Sequence, residues 1–166
     1  QTAVADLARE LNIETFTTYY KGETVIIAGD GRVAMDLHGT FGTDMQIAGK
    51  LDELARGVPS GAPWKAANAA ELDKLSVGDW LLKQNVSVQD RVGWDTSTTL
   101  SGGTFPAKMG LLHFLSMINS ANSRYEQLDS IKDSAQETRF VGGSQILCQK
   151  MADALGDKVR LKMPVR

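Results

Sequence analysis

The sequence predicts an α+β fold in which helices pack on a small mixed or antiparallel sheet. Three patterns carry that expectation. Apolar residues recur at helical spacing in several separate stretches, most densely from Met109 to Ile118. Two β-rich runs, Thr24 to Ala28 and Arg32 to Leu37, flank Gly29-Asp30-Gly31 and read as an antiparallel hairpin whose glycines supply positive φ. Near the end, Val159, Leu161 and Met163 alternate with Lys158, Arg160 and Lys162, the pattern of a strand with one buried face. A length of 166 residues favours one domain spanning residues 1–166.

The elements follow in order. Val4, Leu7, Ala8 and Leu11 mark a first helix, with Thr2 as its cap and Asn12 as its stop. A β-branched and aromatic stretch runs from Glu14 to Tyr20, before the hairpin. Thr43-Asp44-Met45-Gln46 has the form of a capping box, opening a helix through Ile47, Leu51, Leu54 and Ala55 to Gly57. Val58 to Pro63 is a connector, followed by short helices near Ala69–Asp73 and Ser76–Gln84. Val86 to Leu100 is read as a helix supported by Val88, Val92 and Trp94, despite its serines and threonines. Phe105-Pro106 opens the most apolar helix, which leaves almost no polar face and encloses His113 as a core residue. Asn119 to Ser134 is loop-rich, Gln136 to Val141 a strand, Gly142-Gly143 a turn, and Ser144 the cap of a last helix through Leu147, Cys148, Met151 and Leu155.

Composition narrows the function classes. Eighteen basic and 20 acidic residues leave a formal charge of −2, which offers no electrostatic footprint for nucleic acid or an anionic membrane. The single cysteine, Cys148, excludes an internal disulfide framework and reads as core packing. His38 and His113 have no partners at metal-ligand spacing. No signal peptide, membrane span or lipidation motif is read, so the expected location is cytoplasmic. The first residue is Gln1 rather than methionine, which suggests a processed or excised piece.

Ser144 follows two glycines, yet no glycine stands two residues later, so no nucleophile elbow forms. Glycines between a strand and a helix can cradle a phosphate through backbone N–H groups. The dinucleotide fingerprint, however, needs G-x-G-x-x-G and an acidic residue about 20 positions on, and neither is present. Gly142-Gly143 is therefore read as a tight turn.

Longer stretches carry a resemblance. Ala135 to Gln145, with Met151-Ala152, Leu155 to Leu161 and Pro164-Val165, is similar to the flavin-containing amine oxidases, the monoamine, putrescine and polyamine oxidase relatives. A second block comprises Val58-Pro59, Ala62-Pro63-Trp64-Lys65-Ala66, Leu72-Asp73, Leu75-Ser76 and Asp79-Trp80-Leu81. A third runs from Leu7-Ala8 through Leu11 to Phe16, with Tyr19. The blocks occur in family order across nearly the whole chain, and Pro63 to Ala66 argues against the more distant phytoene desaturase and protoporphyrinogen oxidase relatives.

The resemblance implies the inserted substrate domain of an FAD-dependent amine oxidase, which oxidises a C–N bond by hydride transfer to flavin. It implies FAD in the full-length parent, held by a flavin domain of the same polypeptide, with neither flavin nor activity expected in the isolated chain. Gln136 matches the family glutamine that orients the amine beside the flavin. Leu100 and Leu128 fall where the family lines its substrate cavity. In one register Asp129 is the gate, a polar choice suited to a substrate with a second ammonium group; in a shifted register Ile131 is. A second reading from a different class is a stand-alone binding or scaffold module of the same fold. Upstream G-x-G-x-x-G in the reading frame would favour the enzyme. The apolar face of Lys158 to Met163 suggests self-association, or an irregular chain end, where its sheet partner lies elsewhere.

Overall fold

The computed structural model describes residues 2–22, 24–27, 31, 33–36 and 43–164. In chain order the elements begin with α1 (Thr2–Glu10), β1 (Thr15–Thr17), β2 (Thr24–Ile27), β3 (Val33–Asp36) and α2 (Met45–Arg56). They continue with α3 (Ala69–Leu72), α4 (Val77–Lys83), α5 (Val88–Gly102), α6 (Leu111–Ser120), α7 (Glu126–Asp129), β4 (Thr138–Phe140) and α8 (Gln145–Leu155). The α+β class holds, with strands paired antiparallel in two separate ribbons. No helix among the described residues is long and apolar enough to cross a membrane. The chain divides into two compact units, Gln1–Tyr19 with Glu137–Arg166, and Tyr20–Gln136.

In the unit formed by the two ends, β1 pairs with β4 in the register Thr15↔Phe140, Phe16↔Arg139, Thr17↔Thr138. Helix α1 already includes Thr2, the expected cap, and stops at Asn12, which takes φ 52. The Ile13 amide then bonds back to the Ala8 carbonyl at 2.8 Å, and both side chains are buried. Helix α8 forms as its apolar spacing predicts, but it buries no residue fully among the described chain. Cys148 is exposed, which corrects its reading as core packing: the stripe is present but nothing described covers that position.

The strand that the alternation suggests from Lys158 to Met163 does not form, and the irregular chain end expected as its alternative does. A 3-10 turn spans Gly156–Lys158, and irregular chain follows with Leu161 at 80% exposure. Lys162 takes φ 59, which no extended strand accommodates, and the alternation finds no described strand to pair with.

The second unit holds the main core. The hairpin forms between β2 and β3 in the register Thr24↔Asp36 to Ile27↔Val33, and Gly31 supplies φ 82. The rest of its turn and His38 lie outside the described residues. Helix α2 packs on α6, burying Ile47, Ala48, Leu51 and Ala55. Its cap is Asp44, whose side chain accepts from the Gln46 amide at 2.7 Å, and not Thr43, which is buried. Asn119 fastens the same layer: its Nδ2 donates to the Ala55 carbonyl at 3.0 Å and its Oδ1 accepts from the Ser60 amide at 3.1 Å.

The apolar helix opens later than Pro106. Pro106–Lys108 is a 3-10 turn, and Met109-Gly110 is extended. There the backbone is recruited elsewhere, the Val77 amide donating to the Met109 carbonyl and the Leu111 amide to the Leu75 carbonyl, each at 2.8 Å. Leu111, Leu112, Phe114, Leu115 and Ile118 are buried as expected, but His113 is exposed on the one flank that they leave. Helix α5 also faces otherwise than its apolar residues suggest. Trp94, Ser97 and Thr98 are fully buried, while Val92 is 65% exposed.

Candidate functional site

The sequence-predicted site residues all fall in the second unit, and their placement starts from Tyr125. Its amide donates to Asp52 Oδ1 at 2.6 Å, reaching from the α7 entrance to α2. Its hydroxyl shares a buried hydrogen bond with Ser97 of α5. Its ring lies 5.0 Å from that of Trp94 and 6.2 Å, edge-on, from that of Phe114. One residue thus ties α2, through its amide, and α5 and α6, through its side chain, to the start of α7, and aromatic pairs at such distances add to simple burial.

The short α7 that follows carries Leu128, half-buried against the core, and Asp129 at its last position. The chain then folds back on this turn. Ser130 bonds Glu126 O through both its amide (2.9 Å) and its hydroxyl (2.7 Å), and the Ser134 hydroxyl bonds the Ser130 carbonyl. The Ala135 amide donates to Gln127 O at 3.1 Å, and the Gln136 amide to Ser130 O at 3.3 Å. Leu128, Asp129, Ile131 and the Gln136 backbone therefore share one closed loop. Ile131 is half-buried and the Gln136 residue is exposed. Leu100 sits on α5, which packs against α7, and is 63% exposed.

Two carboxyl groups are shifted in this unit. Burial pushes the Asp52 carboxyl above its ordinary 3.8, against the opposing pull of the Tyr125 amide and of Arg124 and Arg56. Hydrogen bonds from the Ser76 side chain and amide hold the Asp79 carboxyl below 3.8; this pair is the capping box of α4. No group of His, Cys, Asp and Glu among the described residues could hold a metal.

A cavity of about 260 Å³ opens between α4, α5 and the 3-10 turn at Pro106. Gly78, Leu81, Leu82 and Pro106 form apolar walls, and Asp79, Arg91 and Asp95 contribute charge. Leu100, Leu128, Ile131 and Gln136 do not line it. On α5, Asp95 and Leu100 point about 140° apart, given about 100° per helical residue.

Sequence reasoning missed Asp52, Ser97 and Tyr125, which position the loop, and Arg91 and Asp95. Asp52 and Tyr125 are 73 residues apart, and no spacing rule links them.

The FAD that the resemblance implies would need free backbone amides at a strand–turn–helix to hold its phosphates. The best cradle is the strand–turn–helix at Gly142-Gly143, where the glycines take φ 86 and 83. Three amides bond within the turn: Gly143 N–H to Phe140 O at 3.0 Å, Ile146 N–H to Gly143 O at 3.2 Å and Leu147 N–H to Ser144 O at 3.3 Å.

Comparison with known proteins supplies the context. No family model matches the chain. A Mycobacterium tuberculosis protein carrying the name of a flavin-containing monoamine oxidase is 34% identical over 176 aligned positions, covering 100% of this chain and 38% of that protein. Amine oxidase [flavin-containing] A of Canis lupus familiaris is 25% identical over 99% of this chain and 32% of its own length. Among solved structures, putrescine oxidase bound to putrescine superposes with a TM-score of 0.81 at 28% identity, covering 99% of this chain and 38% of that one. Cyclohexylamine oxidase from Brevibacterium oxydans gives 0.82 at 26% identity, with the same coverage. The chain thus spans about 38% of the length of the Mycobacterium tuberculosis relative and of both solved oxidases. Over practically its whole length, in sequence and in fold, it matches a segment of the flavin-containing amine oxidases.

Proposed function

We propose that this chain is the substrate-recognition part of an FAD-dependent amine oxidase that oxidises a primary or secondary amine at its C–N bond by hydride transfer to flavin. The observation that carries this reading is the superposition of 99% of the chain on putrescine oxidase with a TM-score of 0.81. In this reading the flavin is held by sequence outside these 166 residues, which carry no G-x-G-x-x-G. The isolated chain is then inactive, and its partners are an amine and the flavin-binding part of the same polypeptide.

What these residues contribute is position and environment. The Gln136 amide side chain can accept a hydrogen bond from an amine and donate one in return, which orients the C–N bond. Apolar walls from Leu100, Leu128 and Ile131 disfavour an ammonium ion and so favour the neutral amine. Asp129 closes α7 with a residue type whose carboxylate suits a second ammonium group on the same substrate, as in a diamine. The hydrogen bonds that close the segment from Glu126 to Gln136 support this reading for Leu128, Asp129, Ile131 and Gln136.

The test is amine-dependent flavin reduction by the protein translated from the whole reading frame, followed by stopped-flow absorbance. Gln136→Ala is expected to lower kcat/KM roughly 100-fold, the scale of a misplacement of about 1 Å, at unchanged melting temperature. Unchanged kcat/KM with a lowered melting temperature would make Gln136 structural. A whole protein that neither carries flavin nor oxidises amines would leave the scaffold reading in its place.

A further inference from the structure

The cavity between α4 and α5 has no part in the proposed oxidation, and its chemistry is distinctive. Arg91 and Asp95 both line it, one helical turn apart, yet neither side chain takes a hydrogen bond or ion pair among the described residues. An opposite-charge pair at this spacing on an α-helix commonly closes on itself. Here both charges stay available beside Leu81, Leu82 and Pro106. The floor is set by backbone: a Cβ on Gly78 would lie 3.0 Å from the N and Cα atoms of Ala107, so a side chain there would push α4 and this turn apart by a few tenths of an ångström.

From this geometry we infer a binding site for an apolar α-amino acid, with its carboxylate on Arg91, its ammonium on Asp95 and its side chain against Leu81, Leu82 and Pro106. A guanidinium presents parallel N–H donors that match a carboxylate. A zwitterion pairs with both groups, whereas a ligand with a single charge leaves one of them, exposed on α5, to water. Residues at i and i+4 stand about 5–6 Å apart at Cβ, which suits two charges borne on one carbon atom. The volume, about 260 Å³, equals roughly nine water volumes and accommodates leucine or phenylalanine. Asp79, kept ionised by Ser76, adds a second acceptor for the ammonium group.

The experiment is calorimetric titration of the purified full polypeptide with L-leucine, with isopentylamine, which lacks the carboxylate, and with 4-methylpentanoate, which lacks the ammonium. Leucine is expected to bind saturably and at least tenfold more tightly than either single-charge analogue at this site. Arg91→Gln should remove its advantage over isopentylamine, and Asp95→Asn its advantage over 4-methylpentanoate. Both substitutions are on the helix surface, and a thermal melt of each variant checks folding. Amide chemical shifts locate the event: leucine should move Gly78, Leu82 and Ala107 and leave Gln136 in place. Isopentylamine acting at Gln136 is thereby separated from binding here. The inference is overturned if leucine produces no saturable heat, if both variants bind it like the parent, or if isopentylamine matches leucine in shifting Gly78 and Ala107.

Discussion

The bond from Tyr125 N–H to Asp52 Oδ1 anchors the loop that carries Leu128, Asp129 and Ile131, so Asp52 is the most informative position to perturb. Asp52→Ala deletes an acceptor at 2.6 Å. A hydrogen bond to a charged group contributes about 1.5–3 kcal/mol, and water can reach half-buried Asp52, so the expected loss is about 1–2 kcal/mol. For a chain of this size that lowers Tm by roughly 2–8 °C. Asp52→Asn keeps an oxygen acceptor and removes a charge that burial penalises, so it should stay within about 1 kcal/mol of the parent. Urea denaturation measures both, and amide exchange should show lost protection at Ser130 and Gln136 in the alanine variant. The sign with pH follows from the raised carboxyl. Its stabilising contribution is complete below the ordinary value of 3.8 and disappears as pH rises through the higher folded value. Relative to the Asp52→Asn variant, the parent should therefore lose ground as pH rises through that window. An alanine variant as stable as the parent, or an asparagine variant as damaged as the alanine one, would refute the anchoring role.

Other positions give equally direct outcomes. Gly78→Ala should destabilise by about 1–3 kcal/mol, because the new Cβ meets the Ala107 backbone rather than a side chain that can turn away. Calorimetric melting reads it, and an unchanged melt would mean that α4 simply shifts. Tyr125→Phe keeps the ring contacts but withdraws the hydroxyl from Ser97, an expected cost of about 1–3 kcal/mol in denaturant titration. Asp79 carries the opposite pH sign to Asp52. Its contribution is present above 3.8 and lost as pH falls through its lower folded value, so Asp79→Asn should flatten the acid side of the stability profile.

Local pattern made much of this chain readable in advance. Helices α2, α6 and α8 lie where apolar residues recur at helical spacing, and the hairpin lies around its glycines, because those signals sit within a few residues of one another. Three expectations failed where the outcome depended on a distant partner. Val159, Leu161 and Met163 alternate like a strand but have no described strand beside them, and Lys162 bends the chain. Met109 and Gly110 leave the helical pattern because Leu75 and Val77 take up the backbone groups around them. Helix α5 turns Trp94, Ser97 and Thr98 inward and Val92 outward, with Trp94 against the Tyr125 ring and Ser97 bonded to the Tyr125 hydroxyl. Residue identity along the chain was enough for the family resemblance, for most of the helices and the hairpin, and for Gln136 as a candidate. Tertiary structure alone decided that Asp52 pins Tyr125 across 73 residues and that Arg91 and Asp95 meet an apolar wall from another helix. The physical reason is that hydrogen bonds and packing act through space, and their partners leave no periodicity in the sequence.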